Sequence, residues 1–157
     1  MDGIPDMDEI PNMAEVAIVE DDPDDILYTK ILARRNRLYF NFSIFFDGRT
    51  FLDYLESGIK SERFRKPDLV LLDLNMPDID GREVLKFIKS NPSLRDISIV
   101  IVSSLCSEHE ILEMENLGAA KYLTKPLKLH ALTSIPEKVR NVRFLQRSSA
   151  NYLIKVA

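Results

Sequence analysis

A chain of 157 residues with 45% hydrophobic and 29% charged side chains has the size and composition of one compact domain able to bury a sizeable core. Its single cysteine, Cys106, excludes an internal disulfide, and no stretch approaches the roughly 18 consecutive apolar residues of a membrane span. The net charge of −4 is uneven: residues 1–29 carry ten Asp or Glu and no Lys or Arg, leaving the other 15 acidic groups and all 21 basic groups to the rest. Such local acidity points to cation binding and away from nucleic acid, and with no signal-peptide or membrane pattern the expected location is the cytoplasm.

Residues 1–13 read as a flexible acidic leader, residues 14–145 as one domain and residues 146–157 as a short C-terminal tail. A first strand, Glu15-Val16-Ala17-Ile18-Val19, runs into Glu20-Asp21-Asp22. Pro23 and the spacing of Ile26, Ile31 and Leu32 predict a helix to about Arg37, with Asp22 placed to cap it and Asp24 and Asp25 to complement its dipole. Residues 42–46 form a second apolar strand. Asp47-Gly48 turns the chain into a short helix carrying Phe51, Leu52 and Leu55 and stopped by Gly58. Residues 60–66 read as a basic, solvated loop. Leu69-Val70-Leu71-Leu72 is an uninterrupted apolar run that ends on Asp73, the pattern of a strand buried on both faces. Gly81 opens a helix with Val84, Leu85 and Ile88 on one face, broken at Asn91-Pro92. Residues 97–102 give a fourth strand, residues 108–117 a helix ended by Gly118, and residues 120–123 a fifth strand. Leu132, Ile135, Val139 and Val142 recur at helical spacing and predict a last helix, kinked at Pro136 or effectively begun near Ser134.

Strands that alternate with helices predict an α/β fold, a doubly wound five-stranded parallel sheet wrapped by five helices. In that fold the carboxyl ends of strands one and three are neighbours, and ligands bind in the crevice there. Glu20, Asp21 and Asp73 would then share one site. Like charges about 4 Å apart repel by about 1 kcal/mol in water and about 4 kcal/mol when partly buried, so such a cluster favours a bound cation or a protonated carboxyl. All-oxygen ligands without His or Cys select a hard ion such as Mg2+. Two more strands end on polar groups, Ser103 and Lys125. A hydroxyl and an ammonium at the same edge suit a phosphoryl group.

These features resemble the two-component response-regulator receiver domain of the chemotaxis-regulator type, over roughly residues 14–145. The resemblance is carried by Val19-Glu20-Asp21, Asp73-Leu74-Asn75-Met76-Pro77, Gly81, Ser103-Ser104 and Lys125-Pro126, and by the gaps of 30 and 22 residues from Asp73 to Ser103 and on to Lys125. It implies the flavodoxin-like strand order 2-1-3-4-5. It further implies that Asp73 accepts a phosphoryl group from a phosphohistidine of a sensor histidine kinase or histidine phosphotransfer protein. Glu20, Asp21, Asp73 and the backbone carbonyl of Asn75 would organise Mg2+, Ser103 and Lys125 would bind phosphoryl oxygens, and Tyr122 would turn as Ser103 moves. The bond before Pro126 would be cis. The result would be a stand-alone switch without multiple turnover that works through an unknown downstream protein, not through nucleic acid or membrane, in an oligomeric state left open.

The chain departs from the family pattern in having Ser98 where Pro is usual, and in a longer path from Asp21 to Asp73, which predicts extended loops near residues 36–41 and 57–66. His109 and His130 read as surface residues, since a donor histidine belongs on the partner. Cys106 reads as a small buried or loop residue. A phosphorylation-independent binding module is the alternative function. A haloacid-dehalogenase-type phosphatase would need a second Asp two residues after Asp73, where Asn75 stands.

Overall fold

The computed structural model describes residues 10–104 and 107–156; Cys106 lies outside the described residues. Five parallel strands form the central sheet: β1 (Glu15–Val19), β3 (Asn41–Phe45), β4 (Leu69–Asp73), β5 (Ser98–Ser103) and β6 (Lys121–Thr124). Their order, β3-β1-β4-β5-β6, is the expected 2-1-3-4-5. Strand alternation divides the core in two. Ala17, Val19, Val70, Leu72, Ile99 and Ile101 point to one face, under α2 (Gly48–Gly58), α3 (Gly81–Ser90) and α4 (Glu108–Asn116). Val16, Ile18, Leu69, Leu71, Val100 and Val102 point to the other, under α1 (Pro23–Arg35), α5 (Leu129–Thr133) and α6 (Ile135–Lys138). All five residues of β4 are buried, as a central parallel strand requires.

The helices α1, α2 and α3 begin where short polar side chains satisfy the free N–H groups of the first turn. Asp22 accepts from Asp24 N–H at 2.9 Å, Asp47 from Thr50 N–H at 2.7 Å and Asp80 from Glu83 N–H at 3.1 Å. Ile31, expected to face inward, is 42% exposed; Ile26, Thr29 and Ala33 form the buried face of α1 instead. Gly118, at φ +107°, takes the chain out of α4 through the left-handed region that favours glycine. Pro136 splits the last helical segment, and α6 starts after Ser134 as the sequence suggested.

The C-terminal part corrects the sequence reading. Neither the helix through Val142 nor the tail of residues 146–157 exists: β7 (Val142–Arg147) and β8 (Ala150–Lys155) form an antiparallel hairpin. Its two turn residues, Ser148 at φ 51° and Ser149 at φ 65°, give the mirror-image turn whose twist matches that of a hairpin. The predicted loop near residues 36–41 contains β2 (Leu38–Tyr39), which pairs in parallel with β8 and completes a second, three-stranded sheet. Arg37, at φ 54°, turns the chain from α1 into β2. Residues 10–13 are likewise not a leader: Ile10 and Met13 are buried against Tyr152 and Ile154, and Met13 bridges Ile154. Asn141 fastens the hairpin to the main sheet, donating to the Asp68 carbonyl at 2.8 Å and accepting from Ser98 Oγ at 2.8 Å. Asp68 and Ser98 stand at the amino ends of β4 and β5, so this second sheet lies at the end of the main sheet opposite Asp73.

Leu153 is fully buried in the hairpin. Leu153→Ala is expected to cost about 2–5 kcal/mol in urea unfolding, as for other buried leucines; a change below about 0.5 kcal/mol, typical of a surface position, would contradict the integration of the hairpin into the fold.

Candidate functional site

The carboxyl ends of β1, β4, β5 and β6 converge on one crevice. Glu20 follows β1 with 4% of its surface exposed, and Asp73 closes β4 with 6%. Carboxylate oxygens of Glu20, Asp21 and Asp73 all lie within 4.8 Å of one another, with Asp21 exposed at the rim. Asn75 N–H donates to Asp73 Oδ1 at 3.1 Å, and Asn75 Nδ2 donates to Ser103 Oγ at 3.2 Å. Ser103 is fully buried, and its carbonyl accepts the Lys125 N–H at 2.9 Å, which places the ends of β5 and β6 side by side. The Lys125–Pro126 bond is cis.

Gly81 allows this packing. A Cβ at that position would lie 2.4 Å from the Asp73 carbonyl oxygen and 2.8 Å from Leu74 Cα, so any side chain would displace the backbone of the acidic strand end. Gly81 N–H donates to the Leu74 carbonyl at 3.1 Å, which ties the start of α3 to the loop after Asp73.

Lys125 is the cation of the cluster. Its ammonium donates to Glu20 Oε1 and, at 2.9 Å, to Asp25 Oδ2, and it lies 3.4 Å from Asp73 Oδ2. Burial alone would lower the pKa of Lys125, but the bonds to Glu20 and Asp25 and the charge of Asp73 outweigh it and raise the pKa. The Glu20 carboxyl is pushed up to about 9, first by burial and then by its hydrogen bond to Asp73, against the pull of Lys125. For Asp25, burial acts upward but the bond to Lys125 wins and the pKa falls. A cavity of about 290 Å³ opens beside this group, lined by Asp25, Lys125 and the apolar Ile18 and Leu127. Tyr28 on α1 also lines it, donating to the Leu127 carbonyl at 2.9 Å.

Every site residue expected from the sequence lies at this end of the sheet. Lys125 differs in one respect: it bonds to the acidic side of the site as well as facing Asp73. Asp25 was missed as a site residue because its place in the first turn of α1 fits a helix-dipole role equally well; that this first turn directly follows the acidic end of β1 was the available signal. Tyr122 is half-buried, and its hydroxyl donates to Glu110 Oε2 at 3.0 Å. Glu110 and its partner Arg82 were missed too, since nothing in their local sequence marks them.

An acidic cluster, a buried hydroxyl and a lysine at adjacent strand ends of a 2-1-3-4-5 sheet define a phosphoryl-accepting switch of the two-component type. Residues 16–136 match the response regulator receiver domain family, and the chain belongs to it. Response regulator Rcp1 of Synechocystis sp. is 30% identical over 126 residues, covering 80% of this chain and 86% of that protein. The crystal structure of its Mn2+-bound form superposes with a TM-score of 0.64 at 32% identity, over 76% of this chain and 86% of that one. The phosphorylated cyanobacterial phytochrome response regulator RcpA gives a TM-score of 0.66 at 32% identity, over 89% and 98% of the two chains. A probable methanogenesis regulatory protein, FilR2 of Methanothrix harundinacea, is 36% identical over 97 residues, 60% of each chain. Receiver domains of this family accept a phosphoryl group on an aspartate, bind a divalent ion in the acidic pocket and work with histidine kinases or phosphotransfer proteins. Among the described residues, no helix is long and apolar enough to cross a membrane.

The donor set fits a hard divalent ion: three carboxylates with no His or Cys, two of them buried, one with its proton affinity raised by burial and then by Asp73. The linkage has a definite sign. A carboxyl whose folded pKa is about 9 against an ordinary 4.5 holds its proton longer in the folded state, so without metal its contribution to stability declines as pH rises from about 4.5 to 9. In EDTA, Glu20→Gln should therefore gain stability over wild type as pH rises through that window, and Mg2+ should stabilise wild type more than the variant. A pH-independent difference in chemical denaturation would contradict the shift.

Proposed function

We propose that Asp73 takes a phosphoryl group from the phosphohistidine of a sensor histidine kinase or histidine phosphotransfer protein, in a Mg2+-dependent reaction. The observation that carries the proposal is the setting of Asp73: a buried carboxylate with Lys125 at 3.4 Å on one side and the Asn75 N–H bonded on the other. An Asp73 oxygen attacks phosphorus in line. The bond from phosphorus to the imidazole nitrogen breaks, its electron pair returns to the ring, and an acyl phosphate forms. Glu20, Asp21, Asp73 and the carbonyl of Asn75 are the groups suited to hold Mg2+, which when bound would offset charge on the phosphoryl oxygens. Lys125 offers those oxygens a cation, and Ser103, now held by Asn75, offers a hydroxyl.

The acyl phosphate would draw Ser103 and Lys125 toward itself and so bias a two-state equilibrium that includes Tyr122. Attack of water on the same phosphorus releases inorganic phosphate and resets the switch, so the chemistry is self-limited and not that of a turnover enzyme. The output is contact with a downstream protein.

Incubation with acetyl phosphate and Mg2+ should raise the intact mass by one phosphoryl group, and Asp73→Asn should abolish the increase. An unmodified wild-type mass under those conditions would contradict the proposal. If Asp73→Asn bound the downstream protein as tightly as the phosphorylated wild type, a phosphorylation-independent binding module would replace it.

A further inference from the structure

Outside the acidic crevice, one buried carboxylate joins three elements. Glu110, in the first turn of α4, is 8% exposed. Its Oε1 accepts from Arg82 Nη2 at 2.6 Å, and its Oε2 accepts from the Tyr122 hydroxyl at 3.0 Å. Arg82 follows Gly81, the residue packed on the Asp73 backbone, in the first turn of α3, and its Nε also donates to the more exposed Glu113 at 3.0 Å. The chain of contacts therefore runs from the loop after Asp73, through Arg82 and Glu110, to Tyr122 on β6.

The energetics of this arrangement separate its two bonds. A buried carboxylate stripped of all partners carries a desolvation penalty, whereas one that keeps a guanidinium loses only the single bond that is broken. With Arg82 in place, Tyr122 can leave Glu110 without stranding a charge. Without Arg82, Glu110 loses its buried charge partner and turns toward solvent, which takes the acceptor away from the Tyr122 hydroxyl.

We propose that Arg82, acting through Glu110, is a positioning residue for Tyr122 and sets the balance between the resting and phosphorylated arrangements of this receiver. The proposal rests on the receiver reading given above. Glu110 holds Tyr122 in the resting arrangement, and phosphorylation breaks the bond between them. Arg82 holds Glu110 in both arrangements, so α4 and the β6 edge respond together to events at Asp73.

The test uses the whole chain labelled with 3-fluorotyrosine, with the Tyr122 resonance assigned through Tyr122→Phe, and follows acyl-phosphate formation from acetyl phosphate and Mg2+. In wild type the Tyr122 resonance should move on phosphorylation. In unphosphorylated Arg82→Met and Glu110→Gln it should already lie toward the phosphorylated position, with phosphorylation about tenfold faster, the effect expected from losing one charge-assisted bond. Arg82→Lys should return both readouts toward wild type. Glu113→Gln should leave both unchanged, although a simple staple between α3 and α4 would be weakened by it as much. Phosphorylation of wild type with a moving Tyr122 resonance, but wild-type rate and resonance in Arg82→Met and in Glu110→Gln, would overturn this proposal and leave the receiver reading standing. No phosphorylation of wild type at all would overturn both.

Discussion

The structure depends on holding mutually repelling carboxylates at the buried ends of adjacent strands. Glu20 and Asp73 are almost fully enclosed, and Asp21 closes the cluster from the rim. At an effective dielectric of about 20, each unit-charge contact near 4 Å is worth about 4 kcal/mol. A fold of ordinary marginal stability relieves such a group by retaining a proton, which burial favours at Glu20, and by a compensating positive charge. Lys125 supplies that charge here, bonded to Glu20 and Asp25 and close to Asp73. The same lysine is a cation available to an incoming phosphoryl group. In the proposed reaction structural relief and chemistry would therefore fall to one residue, and a change of partner for Lys125 would change the balance of the whole crevice.

Around this centre the molecule is divided by function along the strand axis. The carboxyl ends carry the acidic cluster, Ser103, Lys125 and the Tyr122–Glu110–Arg82 contacts. The amino ends carry the hairpin of β7 and β8, fixed by Asn141 to Asp68 and Ser98. Leu153, Tyr152 and Ile154 bury apolar surface there, with Ile10 and Met13 added from the start of the chain. That end gains stability from ordinary apolar packing. The other end holds its buried polar groups by ion pairs and hydrogen bonds instead.

How much of this was legible in the sequence follows the range of each interaction. The buried run before Asp73 and the polar residues ending each strand are local signals, and the alternation of strands and helices could be read from them; the strand order came with the family resemblance that those residues carry. The hairpin was not legible, because its turn uses Ser148-Ser149 instead of Asn-Gly, and Val142 happened to extend the helical spacing of Leu132, Ile135 and Val139. The two-residue strand β2 acquires its role only through pairing with β8, over a hundred residues away. Asp25, Arg82 and Glu110 were missed for the same reason: each looks like an ordinary helix-surface charge until the fold brings a partner to it.

The central claim is that one particular carboxylate, Asp73, carries the phosphoryl group. Borohydride cleaves an acyl phosphate reductively and converts the aspartate that bore it to homoserine. Peptide mass mapping after phosphorylation and borohydride treatment should place homoserine at position 73, and only when Mg2+ and the phosphodonor are both present. Homoserine at Asp21 or Asp25 with Asp73 intact, or phosphate retained on His109 or His130, would contradict the account.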